Sequence, residues 1–401
     1  MDPLHNPFAP GAGASPPELA GRDEIIKSAE TALQRIRIGR PEKSQMLLGL
    51  RGVGKTVLLN RISESAEQIG YIVVNMEAPE GQRLVDYLAP ALKGVLMKLS
   101  KYERAKDLAA RAMGALRGIA SVFKVSIGDV SFGVSEPATA DSGNLEIDLP
   151  ELLVATAGAA RAAGTSVALF IDEVQYLSEE DLRALIVAMH RIGQKGLPLV
   201  LFGAGLPQVA GMAGDAKSYA ERLFDYPEIG PLPDEEARRA LREPVRAEGA
   251  EIEEAALRQI ADITRGYPYF LQEWGKHTWN TAPDSPITSA DVDAATRLTT
   301  EALDRNFFRV RFDRLTPREQ DYLRAMAELG PGPHRSGAVA DKLGISVEKA
   351  GPLRSGLIRK GMIWSPAHGD TAFTVPMFDE FMRRVMPDWS STNSPGARRK
   401  K

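Results

Sequence analysis

Gly49-Leu50-Arg51-Gly52-Val53-Gly54-Lys55-Thr56 constrains this 401-residue chain more than any other segment. The spacing G-x-x-x-x-G-K-T makes chemical sense only where a strand delivers the chain into a tight turn and a helix leaves it. Its backbone N–H groups then converge on one anion. Both flanks comply. Met46-Leu47-Leu48 is a short apolar run of the buried-strand kind, and Val57 to Ile69 carries helical spacing. The helix N-terminus adds positive potential, so the loop is expected to hold phosphate. Lys55 would reach the outer phosphates and Thr56 would ligate magnesium. Gly49, Leu50, Arg51, Gly52, Val53, Gly54, Lys55, Thr56 and Val57 form the expected nucleotide contacts.

The rest of the first half fits the same architecture. Tyr71 to Asn75, Val167 to Ile171 and Leu197 to Phe202 are apolar runs without alternation. Helical patterns separate them at Leu84 to Leu99, onward to about Ile119, at Leu149 to Ala163 and at Leu182 to Ile192. Such strands predict an α/β fold with a parallel sheet covered on both faces. Asp172-Glu173 then falls at the carboxyl end of a buried strand, the edge where parallel sheets bind ligands. There Asp172 can hold magnesium through water, and Glu173 can polarise a water for attack on a γ-phosphate. ATP with Mg2+ is the expected ligand pair.

Residues 1–20, rich in Pro, Gly and Ala, read as an irregular segment, and 21–232 as the phosphate-loop core. An insertion at about 100–146 includes the alternating stretch Phe123 to Val134, a small hairpin around Gly128-Asp129. From about Pro233 the strands stop, and 233–302 reads as a helical lid of two or three helices. A capping pattern stands at Thr288-Ser289-Ala290-Asp291. Residues 303–386 form a further unit, and 387–401 a disordered basic tail.

Within that unit, Val339 to Leu343 reads as a helix closed by Gly344, and Leu353, Leu357 and Ile358 mark a second helix closed by Lys360-Gly361. Met362-Ile363-Trp364 and Ala372-Phe373-Thr374-Val375 alternate as paired strands about a Gly369-Asp370 turn. Pro352 cannot sit inside a helix without a kink, so it is expected as the first helical residue, which shortens the second helix. A helix–turn–helix followed by a hairpin is a winged helix-turn-helix pattern. Bound to double-stranded DNA, it would place Arg354, Ser355, Arg359 and Lys360 in the major groove, with His368 near the hairpin tip. Residues 303–401 hold 18 Lys/Arg against 11 Asp/Glu, although the whole chain carries a net charge of −3. That asymmetry permits nucleic-acid contact and equally suits a solvated tail ending Arg398-Arg399-Lys400-Lys401.

Several of these segments resemble one group of proteins. Leu19-Ala20-Gly21-Arg22-Asp23-Glu24 resembles the segment that closes on adenine in AAA+ proteins of the origin-recognition type. Asp172-Glu173-Val174-Gln175-Tyr176-Leu177 looks like the extended second motif of archaeal-type ATPases and related STAND NTPases. Arg265-Gly266-Tyr267-Pro268-Tyr269 resembles the G-x-P motif of the STAND lid, which adds Pro268 to the expected nucleotide contacts. The resemblance covers about residues 19–300, and the last unit is similar to the winged helices that end origin-recognition-type ATPases. Glu221-Arg222-Leu223-Phe224 matches the place of an arginine finger, so Arg222 is expected to act on the γ-phosphate of a neighbouring subunit or of its own chain.

Two departures from the family pattern imply slow turnover. The strand after the acidic pair runs through Leu199-Val200-Leu201-Phe202 into Gly203-Ala204-Gly205-Leu206-Pro207, with no polar sensor residue before Gln208. Pro268 stands where many AAA+ proteins keep a phosphate-contacting arginine, with Arg265 nearby. An ATP-switched, DNA-associated protein is the leading expectation. A STAND-like module that self-associates or binds a protein partner is the alternative, and a small-molecule kinase fits the lid and last unit poorly.

The absence of cysteine excludes disulfides, zinc–thiolate sites and thiol catalysis. The five histidines show no metal-ligand spacing. No charged-then-apolar leader opens the chain and no apolar run is long enough to span a bilayer, so a soluble cytoplasmic protein without membrane contact is expected.

Overall fold

In a computed structural model that describes residues 1–11, 13–127 and 139–390, the chain passes from α1 (Asp23–Arg37) into β1 (Ser44–Leu48), α2 (Lys55–Gln68) and β2 (Tyr71–Glu77). Three helices follow: α3 (Leu84–Leu99), α4 (Lys106–Val122) and α5 (Leu145–Ala163). Then come β3 (Ser166–Asp172), α6 (Glu179–Gln194), β4 (Leu199–Gly205), α7 (Val209–Ala216), α8 (Ala220–Leu223) and β5 (Phe224–Asp225). The five strands form one parallel sheet in the order β2-β3-β4-β1-β5. This is the phosphate-loop α/β fold expected from the uninterrupted apolar runs. β5 is new: two residues are too few to leave a periodic signal.

β1, β3 and β4 are buried on both faces, so consecutive residues serve two cores. Ala168, Phe170, Val200 and Phe202 face one cluster, which includes Leu33 of α1 and Leu58 and Ile62 of α2. Val167, Leu169, Ile171, Leu199 and Leu201 face the other, built from α3 to α6. Phe170 and Phe202 stack across β3 and β4 with centroids 5.2 Å apart. Burying each such aromatic stabilises the sheet by about 2–3 kcal/mol. The stretch read as an insertion supplies α4, whose Ala109, Ala112, Met113 and Leu116 are part of that second core. The hairpin turn expected at Gly128-Asp129 and the tail Arg398–Lys401 lie outside the described residues.

The lid holds four helices where two or three were expected: α9 (Asp234–Ala247), α10 (Glu254–Thr264), α11 (Pro268–Thr281) and α12 (Ser289–Leu303). The break between α10 and α11 is short. Arg265 caps α10 in the left-handed region at φ 52, and Pro268 opens α11 at its first position, where no amide bond is lost. Thr288 and Asp291 make the reciprocal capping box expected at the start of α12. The N-terminal segment is irregular but tied to the lid. Asn6 donates to Lys276 O at 2.9 Å, Trp279 Nε1 donates to Asp2 O at 2.8 Å, and Phe8 is buried.

The last unit opens with one π-helical turn at Asp304–Phe308 and α13 (Arg309–Phe312). It continues through α14 (Pro317–Leu329), β6 (His334–Arg335), α15 (Ser336–Leu343), α16 (Val347–Arg359), β7 (Ile363–Trp364), β8 (Asp370–Phe373) and α17 (Phe378–Val385). The β7–β8 pair is the expected hairpin, and β6 adds a third antiparallel strand, giving the order β6-β8-β7. Pro352 corrects the expectation: it lies inside α16, not at its start. The helix begins at Val347 after Ser346, whose carbonyl accepts from Lys349 and Ala350. Pro352 is exposed, so the bond it cannot make is left on the solvent side. Among the described residues, no helix is long and apolar enough to cross a membrane.

Candidate nucleotide-binding site

The loop leaves β1 at the carboxyl edge of the sheet, held by strand-like bonds on both sides. Gly49 N–H donates to Gly205 O at 3.1 Å, and Ile229 N–H donates to Leu48 O at 2.6 Å. A Cβ at Gly49 would collide with the carbonyl of Ile229, so only glycine fits there. Gly54 turns the chain at φ 90, in the left-handed region, directly before α2. The amides of Lys55, Thr56 and Val57 precede the first intrahelical bond, from Leu58 N–H to Gly54 O at 3.0 Å. They are the orphan donors of a helix N-terminus, aimed where an anion would sit.

Lys55 is 8% exposed, and its Nζ donates to Gly49 O and Leu50 O, each at 2.9 Å. Burial pulls its pKa down to about 8, while Glu173 and Asp172 act in the opposite sense. A buried ammonium satisfied only by carbonyls is poised to gain from phosphate. Thr56 Oγ1 donates to Asp172 Oδ2 at 2.6 Å, and Glu173 N–H donates to Asp172 Oδ1 at 2.8 Å. Burial raises the Asp172 pKa, partly offset by the Thr56 hydroxyl and the Glu173 amide. These two oxygen-bearing side chains are the hard donors that magnesium takes.

Glu173 sits in the left-handed region at φ 54 and accepts from Gln175 Nε2. Gln175 Oε1 in turn accepts from Leu206 N–H at 3.0 Å. Thus Gln175 supplies, beside the end of β4, the polar group that β4 itself lacks. Its place in the run after Asp172 was visible in sequence, but its partner across the sheet was not. Gln208 opens α7.

Arg22 is buried, and its guanidinium donates to Val53 O at 3.3 Å and to Gly230 O. It braces the loop from behind, and burial lowers its pKa. The N-terminal segment also crosses the site: a Cβ at Gly13 would lie 3.2 Å from Thr56 Cγ2. Composition gave no hint of that approach.

Pro268 brings the lid onto the loop. Tyr269, the next residue, donates its N–H to Gly52 O at 3.2 Å. Arg265 does not point at the loop; it pairs with Glu380 of α17 at 3.6 Å. Arg51 reaches further. Its N–H donates to Thr374 O at 3.3 Å, Nη2 donates to Tyr176 OH at 2.7 Å, and Nη1 lies 3.9 Å from Glu173 Oε1. A Cβ at Gly361 would lie 2.7 Å from Arg51 Nη2. The last unit therefore rests directly on the phosphate loop.

Arg222 lies far from this site. Its helix, α8, feeds β5, which pairs Phe224 with Ser44 at the start of β1, whereas the loop leaves the other end. Roughly 15–20 Å of strand length separates the two levels. This corrects one expectation: Arg222 does not reach the nucleotide site of its own chain, and its side chain is exposed.

The four residues expected to face DNA divide into two pairs. Arg354 Nε donates to Thr371 Oγ1 at 2.9 Å, and its Nη2 donates to Ser365 Oγ and Asp370 O, each at 2.8 Å. Lys360 donates to Glu319 Oε2 at 2.7 Å and to Arg314 O at 3.2 Å. Both hold the unit together. Ser355 and Arg359 are exposed.

Comparison with known proteins agrees with this geometry. The model of the AAA ATPase domain matches residues 18–202. Residues 18–202 form an AAA ATPase domain. A domain of unknown function (DUF8462) matches residues 305–382, the unit that rests on the AAA loop. Among solved structures, the Walker-type ATPase of Pyrococcus abyssi is similar over 91% of this chain and 96% of its own, at 18% identity and a TM-score of 0.59. That likeness extends the common fold beyond the AAA domain to the lid and the last unit. More distant are the RuvB Holliday junction branch migration motor of Thermotoga maritima (18% identity, 89% and 94% covered, TM-score 0.44) and the ORC1 protein of Aeropyrum pernix in complex with DNA (14%, 92% and 94%, 0.47). No curated protein matches the sequence.

Proposed function

We propose that the chain binds ATP with magnesium at Gly49–Val57 and hydrolyses it slowly, as a nucleotide-dependent switch whose last unit carries the output. The observation that carries this reading is that the loop is bonded on both sides. Gly52 O accepts from Tyr269 of the lid, and Arg51 N–H donates to Thr374 of the last unit. ATP draws core, lid and last unit together, and hydrolysis or exchange loosens them. Such coupling requires a difference in ATP affinity between the two arrangements.

Each residue has a role in this scheme. The loop amides and Lys55 hold the outer phosphates, and Pro268 sets Tyr269 against the loop. Thr56 and Asp172 are the residues that hold magnesium, which when bound neutralises charge on the phosphates. Glu173, steadied by Gln175, orients the attacking water. Arg222 is delivered to the site of a neighbouring copy.

The proposed output is double-stranded DNA. Residues 303–386 are read as a winged helix-turn-helix domain, with Ser355 and Arg359 of α16 entering the major groove and Arg354 bracing the hairpin. One observation favours the STAND-like alternative of a protein-facing unit: Arg354 and Lys360 are already engaged, and Gly361, just past α16, lies against Arg51. Fluorescent duplex DNA titrated with and without ATP-magnesium across a salt series separates the two. Binding that needs ATP, weakens with salt and is lost in Lys55→Ala and Arg359→Ala supports the DNA output. No DNA binding in any state, with ATP-dependent self-association, supports the protein-facing unit.

A further inference from the structure

We propose that Arg51 and Arg311 form a two-arginine clamp that takes the terminal phosphate of a bound nucleoside triphosphate between the phosphate loop and the last unit. The clamp rests on the nucleotide-binding reading above and adds a residue from outside the AAA domain.

Arg311 lies on α13, at the start of the last unit. Its Nη1 donates to Phe307 O at 2.7 Å, and its guanidinium stands 3.9 Å above the Phe307 ring. Phe307 stacks on Tyr269 at 4.7 Å, and the Tyr269 amide is bonded to Gly52 O. Arg311 is therefore tied to the loop through the Phe307–Tyr269 stack. Arg51, on the loop itself, is fixed at its amide by Thr374 and at its guanidinium by Tyr176.

The electrostatics of this arrangement are incomplete. The groups acting most strongly on Arg311 are Arg51, Tyr269, Arg314 and Tyr176, none of them a carboxylate. Among the described residues, Arg311 makes no ion pair, and burial lowers its pKa to about 10. Guanidinium groups of like charge disfavour each other unless an anion joins them; Arg51 has Glu173 at 3.9 Å, whereas Arg311 has no such carboxylate among the described residues. Each offers a planar fork of donors suited to phosphate oxygens, and Arg311 has spent only one donor on Phe307 O.

The available anion is set by the loop. Lys55 and the loop amides hold the outer phosphates, and the clamp adds guanidinium donors to the outermost group from the side of Arg51 and Tyr269. A diphosphate lacks that group, so the clamp closes on ATP and not on ADP. Arg51 turning to phosphate also releases its loose contact with Glu173, freeing that carboxylate to orient water.

The test uses the full chain and fluorescent ADP displaced by ADP or by a non-hydrolysable ATP analogue, both with magnesium. Arg311→Ala is expected to bind ADP as wild type does and to lose about tenfold or more in affinity for the analogue. Unchanged affinity for the analogue, or equal loss of both nucleotides, would overturn the clamp. If circular dichroism shows Arg311→Ala unfolded, Arg311→Lys decides, since it keeps the charge and the stem over Phe307 but not the fork. A lower analogue-to-ADP preference supports the clamp, and an unchanged preference overturns it. A wild-type chain that prefers neither nucleotide defeats the clamp alone; one that binds neither defeats the nucleotide reading with it.

Discussion

Arg51 and Thr374 are 323 positions apart in sequence, yet the amide of the first donates to the carbonyl of the second at 3.3 Å. One residue of the phosphate loop thus touches the last unit through its backbone while its side chain lies 3.9 Å from Glu173. Any movement of the loop around phosphate is felt at both places.

Lys55→Met should abolish nucleotide binding without weakening the empty protein. The ammonium is buried and satisfied only by two carbonyls, so an apolar side chain of similar length relieves its desolvation. Stability of the nucleotide-free variant should be unchanged or higher by about 1 kcal/mol. Urea unfolding alongside nucleotide titration checks both halves; a loss of several kcal/mol would mean that Lys55 is chiefly structural.

Glu173→Gln should leave ATP affinity within about twofold of wild type and stop hydrolysis. Gln175→Ala should slow hydrolysis by about tenfold, because Glu173 loses the amide that orients it across β4. Single-turnover rates at saturating ATP read this directly. Equal rates in Gln175→Ala and wild type would remove Gln175 from the account.

Arg222→Ala should lower turnover only where copies of the chain meet. The specific rate of wild type should rise with protein concentration, and that of the variant should stay flat. A concentration-independent wild-type rate would rule out a role in a neighbouring copy.

Glu319 makes the last unit acid-sensitive. Burial alone would raise its pKa, but bonds from Lys360 and from the Thr316 amide and hydroxyl outweigh burial and hold it below the ordinary 4.5. A carboxylate with a depressed folded pKa contributes stability that is present above the unfolded value and lost as pH falls through the folded one. Glu319→Gln and Lys360→Ala should each cost about 1–2 kcal/mol near neutral pH. In thermal melts the gap between Glu319→Gln and wild type should close as pH drops below about 4.5. A pH-independent gap would assign the loss to packing.

Legibility in the sequence followed the range of each interaction. The loop, the strand ending at Asp172 and the capping box at Thr288 and Asp291 are local, because each needs residues a few positions apart. The clean apolar runs of β1, β3 and β4 were readable because both faces of those strands are buried. The two-residue β5 and β6 had no room for a pattern. The approaches of Gly13 to Thr56, Tyr269 to Gly52 and Thr374 to Arg51 join segments far apart in the chain, and no spacing rule encodes them. Pro352 was misplaced for a different reason: a proline penalty is a strong local signal, but an exposed helix face absorbs it.

The measurement that tests the switch most directly is hydrogen–deuterium exchange across Gly361 to Thr374 in the full chain, empty, with ADP-magnesium and with a non-hydrolysable ATP analogue and magnesium. The account predicts slower exchange there with the analogue than with ADP or no nucleotide, and no such difference in Lys55→Met. Exchange that is the same in all three states of the wild type, at nucleotide concentrations shown to saturate the loop, would contradict it.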